Sequence, residues 1–199
     1  MAILVVGGNH RGVGKTALVC GLIAALPEHR WAAVKISSDD HGRPAPVWEE
    51  REAGQGTDTA RYLAAGAARA FLITASGDEM EKRLAELERI VGSEQSVIYE
   101  SNRVVDFIRP DLCLLVDDPV GEETVKPSFL RITVNADAMV VQASGDSVSE
   151  DSMGNDSVSS GSDGARPRFR LAAFERIPSQ MVAWMRQHIP SAGHSSRGI

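Results

Sequence analysis

The chain has 199 residues, of which 43% are hydrophobic and 24% charged, a balance typical of a globular domain with a substantial core. No apolar run approaches the roughly 20 residues of a membrane span, and the N-terminus lacks a secretory signal, so we expect neither a membrane nor a secreted protein. The net charge is −6, but the four Asp and one Glu of residues 144–164 carry five of these six charges. The nearly neutral remainder gives no indication of a nucleic-acid or membrane partner.

Cysteine usage indicates a reducing environment. The only two cysteines, Cys20 and Cys113, lie in separate apolar stretches. This pattern predicts buried thiols rather than a disulfide framework or a metal cluster, and it favours a cytoplasmic location.

Short apolar runs alternate along the chain with longer amphipathic ones. In chain order the pattern predicts a strand at 3–6, a helix at 16–26, a strand at 31–36, a loop at 42–56, a helix at 58–65, a strand at 69–74, a helix at 78–91, strands at 96–99, 112–116, 138–141 and 168–174, and a helix at 178–189. Ser76 and Glu79 form a sequence capping box that opens the helix at 78–91. Strands alternating with helices predict a three-layer, doubly wound α/β domain around a mostly parallel sheet.

The domain organisation follows from composition. We predict a single domain over residues 1–190, interrupted at 144–166 by an acidic insertion rich in Ser and Gly. That insertion has too few apolar residues to offset its ordering entropy and is expected to be flexible. Residues 191–199 are expected to form a disordered tail.

The loop after the first strand is the strongest chemical signal. Residues 7–16 read GGNHRGVGKT, which resembles the phosphate-loop motif G-x-x-x-x-G-K-[ST] in its strand–loop–helix context. Backbone N–H groups and the helix N-terminus would face phosphate oxygens, with the Lys15 charge on the β- and γ-phosphates and the Thr16 hydroxyl on Mg²⁺. Nucleotide contacts are therefore predicted for Gly8, Asn9, His10, Arg11, Gly12, Val13, Gly14, Lys15, Thr16 and Ala17.

One position departs from this motif. Asn9 stands where the motif has its first glycine. Since Asn is the residue after Gly that best tolerates positive φ, and Gly8 is adjacent, we expect the loop to be intact.

Polar residues at predicted strand ends are further candidates. Glu100 ends a strand, where it would order Mg²⁺ or a water, or be simply a solvated acid. Asp39 and Asp40 follow the second strand, where they would serve a water or Mg²⁺, or form a plain turn. Lys35, within that strand, would hold a phosphate or an acceptor substrate, or be an edge lysine reaching solvent. We assign catalysis to Lys15, Glu100, Asp39 and Lys35, and the metal to Thr16, Asp40 and Glu100.

Four other residues receive weaker assignments. Asp58 is predicted to be a helix N-cap, and Arg61 is a minor candidate for substrate contact. Asp117 and Asp118 follow a strand, where an acid could read a nucleobase, although the guanine-reading pattern Asn-Lys-x-Asp is absent from the sequence.

Three stretches in the first 75 residues resemble one family. They are the phosphate loop with its helix (7–26), Lys35 with the Asp/His cluster at 37–41, and the run from Thr-Asp-Thr-Ala-Arg to Ala-Gly-Ala at 57–67. Together they are similar to the MobB-type molybdopterin-guanine dinucleotide biosynthesis adaptor, in the class of dethiobiotin-synthetase-like phosphate-loop NTPases. The resemblance implies Mg²⁺-dependent binding of a purine nucleoside triphosphate (ATP or GTP), weak hydrolysis, a homodimer and a protein partner in molybdenum-cofactor biosynthesis.

Two alternatives stay open at the level of sequence. One is an ATP-dependent ligase resembling dethiobiotin synthetase, in which Lys35 would hold a carboxylate or carbamate. Ile36 counts against it, because that family has proline after the lysine. The other is a non-catalytic regulatory module switched by nucleotide, with residues 144–164 as a partner or modification site.

Overall fold

The computed structural model describes residues 1–38, 42, 45–117, 127–143 and 166–191. Eight strands belong to these ranges: β1 (Ile3–Gly8), β2 (Ala32–Ser37), β3 (Val47–Glu50), β4 (Arg69–Thr74), β5 (Val97–Glu100), β6 (Leu112–Asp117), β7 (Ala138–Gln142) and β8 (Arg168–Leu171). The α-helices are α1 (Lys15–Ala25), α2 (Asp58–Ala64), α3 (Met80–Val91), α4 (Pro127–Asn135) and α5 (Ser179–His188).

All eight strands form one sheet, in the order β3-β4-β2-β5-β1-β6-β7-β8. Every pairing is parallel except that of the edge strand β3 with β4. From β1 the chain crosses over β5 to reach β2, whereas from β5 it crosses over β1 to reach β6. The connections therefore diverge beside β1, the type of switch point where open α/β sheets bind ligands at the strands' carboxyl ends.

Helices cover both faces of the sheet. Leu18 and Leu22 of α1, Tyr62 of α2 and Met181 of α5 are buried against one face. Met80 and Leu87 of α3 and Ile132 of α4 are buried against the other. This arrangement confirms the predicted α/β class and mostly parallel sheet, and it is compatible with a three-layer fold.

Strand β3 corrects the predicted loop at 42–56. Its four residues are half-buried and pair antiparallel with β4 at the sheet edge. The Glu49 carboxylate accepts a hydrogen bond from Arg69 Nε at 2.7 Å across this pair. Because the run is short, acidic and flanked by Gly and Pro, local propensity argues against a strand, and pairing with the exposed edge of β4 overrides it.

Two other predicted boundaries were wrong. The helix predicted from residue 78 begins at Met80, after a 3₁₀ turn over Gly77–Glu79. The Ser76 hydroxyl lies 3.4 Å from the Glu79 carboxylate and caps no backbone N–H, so the capping box does not form. The last strand ends at Leu171 rather than at residue 174, since the chain there turns to place Phe174 against α1.

The predicted insertion at 144–166 lies outside the described residues except for Arg166. That residue donates hydrogen bonds to the carbonyl oxygens of Thr133 and Val134 at the end of α4. Of the predicted tail, only Ser191 is described. The longest described helix, α3, has 12 residues, and none of the described helices has the length and apolarity of a membrane span.

Both cysteines are buried and free, as predicted. Burial raises the pKa of Cys20 to about 11 and that of Cys113 to about 12. Because the thiolate is the reactive form of cysteine, neither residue has the environment of a nucleophile.

His29 provides a pH-dependent contribution to stability. Its ring is buried, stacks on Trp31 with centroids 4.6 Å apart and lies 3.5 Å from the Ser96 hydroxyl. Burial lowers the pKa of His29 below the usual 6.5. The negative charge of Glu28 opposes this effect, and the positive charge of Arg186 adds to it. The unfolded chain therefore binds a proton more readily than the folded one.

We expect the free energy of unfolding to fall as the pH drops below about 6.5, with a contribution from His29 of at most about 1.4 kcal/mol per pH unit. Urea unfolding at pH 7.5 and 5.5, on the wild type and on His29→Gln, measures this contribution. The variant should lose less stability over that interval. An equal loss of unfolding free energy in the two proteins would show that groups other than His29 cause the decrease at low pH.

Candidate functional site

A cavity of about 780 Å³ lies at the carboxyl ends of β1, β2 and β5. Its walls include every predicted nucleotide-contacting residue except Val13, which is buried beneath the loop. Lys35 and Glu100 also line it, so the structure brings most of the predicted site together. The remaining wall comes from Ile36, Ser37, Ser38, Asp58, Arg61, Ser101, Asn102 and Arg103.

The loop between β1 and α1 has two glycines in the left-handed region. Gly12 has φ +84° and Gly14 has φ +102°, conformations that a residue with a Cβ rarely adopts. Gly14 is the N-cap of α1, and no side chain caps this helix. Gly14, Lys15, Thr16 and Ala17 line the cavity, so the N-terminus of α1, the end of a helix that favours anions, faces it.

Asn9 fits the loop for a reason that the sequence did not indicate. Within the described residues the only non-glycine with positive φ is Arg30, so position 9 needs no left-handed backbone and the predicted reason was wrong. Instead, the Asn9 amide Nδ2 donates to Asp117 Oδ1 at 3.0 Å, and its backbone N–H donates to Val116 at 3.2 Å. Arg168 lies 3.5 Å from the other Asp117 oxygen. Asp117 thus anchors the start of the loop to β6, and nucleobase reading by Asp117 stays a prediction.

Asn102 holds the loop from the other side. Its Oδ1 accepts the Gly8 N–H at 2.8 Å, and its Nδ2 donates to the Gly8 carbonyl, also at 2.8 Å. This pair of hydrogen bonds fixes the backbone where β1 passes into the loop. The sequence offered no signal for this role, because an isolated Asn after a strand has many uses.

Lys15 and its neighbours in the loop form their own contacts. Lys15 Nζ donates to the His10 carbonyl at 2.7 Å, which keeps the ammonium group over the loop. The His10 ring nitrogen Nδ1 lies 2.9 Å from the Arg11 carbonyl, and the Arg11 side chain is exposed.

Glu100 is the centre of a buried polar network. It is 2% exposed, which excludes the interpretation as a solvated strand-end acid. Thr16 Oγ1 donates to Glu100 Oε2 at 2.8 Å, the Tyr62 hydroxyl donates to the same oxygen, and Lys35 Nζ donates to Oε1. Three donors thus satisfy a carboxylate that would be costly to bury alone.

Lys35 connects this network to a second acid. Strand β2 is internal to the sheet, between β4 and β5, so the interpretation as an edge lysine was wrong. Its ammonium group contacts Glu100 and also lies 3.0 Å from Asp58 Oδ2. Burial by itself lowers the pKa of Lys35, but the two carboxylates outweigh this effect and the pKa is raised. Lys35 is therefore a fixed cation at neutral pH.

Helix α2 supplies two members of the network. The predicted N-cap role of Asp58 was wrong, because Thr57 precedes the helix and its hydroxyl accepts the Ala60 N–H at 3.1 Å. Asp58 faces Lys35 instead. Tyr62, one turn later, is fully buried, and burial followed by the Glu100 charge raises its pKa well above 10.0. The i, i+4 spacing of Asp58 and Tyr62 could have indicated a shared face, but Tyr62 alone resembled an ordinary core residue.

Not every predicted site residue can be placed. Asp39 and Asp40 lie outside the described residues. Among the residues that are described, no three His, Cys, Asp or Glu side chains form a metal cluster. The Thr16 hydroxyl and the Glu100 carboxylate, 2.8 Å apart at the cavity, are nevertheless the kind of oxygen ligands that Mg²⁺ takes. No family model matches the chain, and no curated protein shows significant similarity to it.

Proposed function

We propose that the protein binds a Mg²⁺–nucleoside triphosphate in this cavity and belongs to the phosphate-loop NTPases. The observation that carries the proposal is the joint placement of three features on one wall. They are the α1 N-terminus behind Gly12 and Gly14, the Lys15 ammonium over the loop, and a Thr16 hydroxyl bonded to a buried acid. Each recognises a different part of a metal-bound triphosphate.

In the proposed complex the residues have separate tasks. The N–H groups of the loop and of the first turn of α1 donate to phosphate oxygens, and Lys15 turns from the His10 carbonyl to the phosphates. Thr16 would hold Mg²⁺ directly, and Glu100 would accept a hydrogen bond from one of its water ligands; bound there, the ion would neutralise phosphate charge. Lys35 and Tyr62 keep the Glu100 carboxylate oriented.

The occupancy of Glu100 supports slow hydrolysis. Its carboxylate already accepts three hydrogen bonds, so little capacity remains to take a proton from an attacking water. This fits an adaptor that uses the nucleotide for binding, as the MobB-type resemblance implies, and we propose a role near nucleotide attachment to the molybdenum cofactor. The ligase alternative is weaker, because Lys35 is held by two carboxylates rather than free to take an acceptor. Homodimer formation and the cytoplasmic location stay predictions.

A thermal-shift experiment tests nucleotide binding. With Mg²⁺ and ATP or GTP at about 100 times the dissociation constant, the wild type should gain about 2.7 kcal/mol, or several degrees in Tm. Lys15→Ala should abolish the gain, whereas Lys82→Ala on the exposed side of α3 should retain it. GTP preference would favour the cofactor adaptor and ATP preference the ligase. A wild type that neither nucleotide stabilises would refute the proposal.

A further inference from the structure

The cavity extends past the phosphate loop to two arginines that a triphosphate on the loop does not need. Arg61 belongs to α2, which packs on the same sheet face as α1. Arg103 follows β5 and leads into the 3₁₀ turn Val104–Asp106, whose Val104 is buried against the opposite face. Both residues line the cavity, Arg61 from a helix on one face of the sheet and Arg103 from the loop after β5.

Arg103 reaches away from the phosphate loop. Its Nη2 donates to the carbonyl of Ala75, just after β4, at 2.8 Å. Because β2 lies between β5 and β4, the side chain passes over the carboxyl end of β2, where Ser37 and Ser38 line the cavity. With strands about 4.8 Å apart, that end of β2 lies roughly 10 Å from β1 and its loop. The Arg103 end of the cavity is thus spatially separate from the triphosphate position.

The hydrogen bonds in the cavity leave most N–H donors of these two guanidinium groups available. The two acids in its described wall, Asp58 and Glu100, share the one ammonium of Lys35. Arg61 makes two long ion pairs, with Asp58 at 4.0 Å and with Glu175 at 3.9 Å, but neither is short enough for a hydrogen bond, and its side chain is 31% exposed. Only one Arg103 donor has an acceptor among the described residues. Most donors of the two guanidinium groups therefore have no hydrogen-bond acceptor in the described part of the protein.

We propose that this end of the cavity binds a second, oxyanion-bearing ligand, a carboxylate or a phosphate, between Arg61 and Arg103 above the carboxyl end of β2. Guanidinium groups bind both oxyanions through paired, charge-assisted hydrogen bonds. The proposal rests on the proposed function only for the identity of the neighbouring ligand. It differs from the ligase alternative in assigning the anion to these arginines rather than to Lys35.

Calorimetric titration at constant ionic strength tests the proposal. Inorganic phosphate and succinate are each titrated into wild-type protein saturated with Mg²⁺ and a non-hydrolysable triphosphate analogue, so that the loop is already filled. One or both anions should bind, and which one binds distinguishes a phosphate ligand from a carboxylate. Arg61→Gln and Arg103→Gln should each weaken that binding about tenfold or more, while nucleotide affinity changes less than twofold. Arg103→Gln retains a donor for the Ala75 carbonyl, and Arg89→Gln, at an exposed position of α3, is the control.

The two proposals fail separately. Nucleotide is titrated first and alone, and its failure to bind counts against the proposed function only. The anions are then titrated into Lys15→Ala as well, in which the loop competes less for phosphate. Absence of binding in both backgrounds, or binding that neither arginine substitution weakens, would overturn the second site.

Discussion

Replacing Lys35 with methionine should lower the free energy of unfolding by about 2–4 kcal/mol. The substitution keeps an unbranched apolar stem, one atom shorter, but leaves the 2%-exposed Glu100 carboxylate without its cation. Removing one partner of a buried ion pair is more costly than removing both, since the remaining charge stays desolvated. Urea unfolding at pH 8 measures the loss.

A double-mutant cycle separates this charge effect from lost packing. Lys35→Met combined with Glu100→Gln should recover much of the stability, because Gln can still accept from Thr16 and Tyr62 without a buried charge. Asp58, whose side chain is 39% exposed, supplies the other carboxylate beside Lys35. Asp58→Asn should lower the free energy of unfolding by less than about 1 kcal/mol. A double variant no more stable than Lys35→Met would show that the ion pair is not the cause.

Gly14→Ala should both destabilise the protein and abolish nucleotide binding. The residue has φ +102°, and an added Cβ would lie 2.3 Å from two ring carbons of Phe174. Backbone strain contributes about 1–2 kcal/mol and the steric overlap a further 1–3 kcal/mol. Relief of the backbone strain or of the steric overlap would shift the start of α1, whose backbone N–H groups are proposed to donate to phosphate oxygens. Urea unfolding and the thermal shift with Mg²⁺–nucleotide measure the two effects.

Gly12→Ala is the matched control. Gly12 also has positive φ, +84°, but an added Cβ would meet nothing within 4 Å. It should therefore show the backbone cost alone, about 1–2 kcal/mol. In a Phe174→Ala background the steric overlap is absent. There, Gly14→Ala should lower the free energy of unfolding by an amount closer to that of Gly12→Ala. Equal costs for Gly12→Ala and Gly14→Ala would mean that the Phe174 contact is unimportant.

The amino-acid sequence determined those features that depend on local patterns. The buried strand β1, the apolar helix α1 and the glycine-rich loop between them follow from hydrophobic periodicity and motif spacing, and the structure has all three. The position of Glu100 at the end of a strand was likewise predicted, and the structure pairs that strand in parallel with β1, which brings both carboxyl ends to one edge.

Tertiary structure decided which residues complete the site. Strand β3 exists because β4 offers it an unpaired edge, whereas its own sequence resembles a loop. Asn9 is compatible with the loop through Asp117, 108 residues away in the chain, and Asn102 clamps Gly8 from a separation of 94 residues. Tyr62 and Asp58 join Glu100 and Lys35 only because α2 packs beside β2. Local periodicity specifies helices, strands and the loop, but hydrogen bonds and ion pairs between distant residues depend on how the elements pack, which no local window contains.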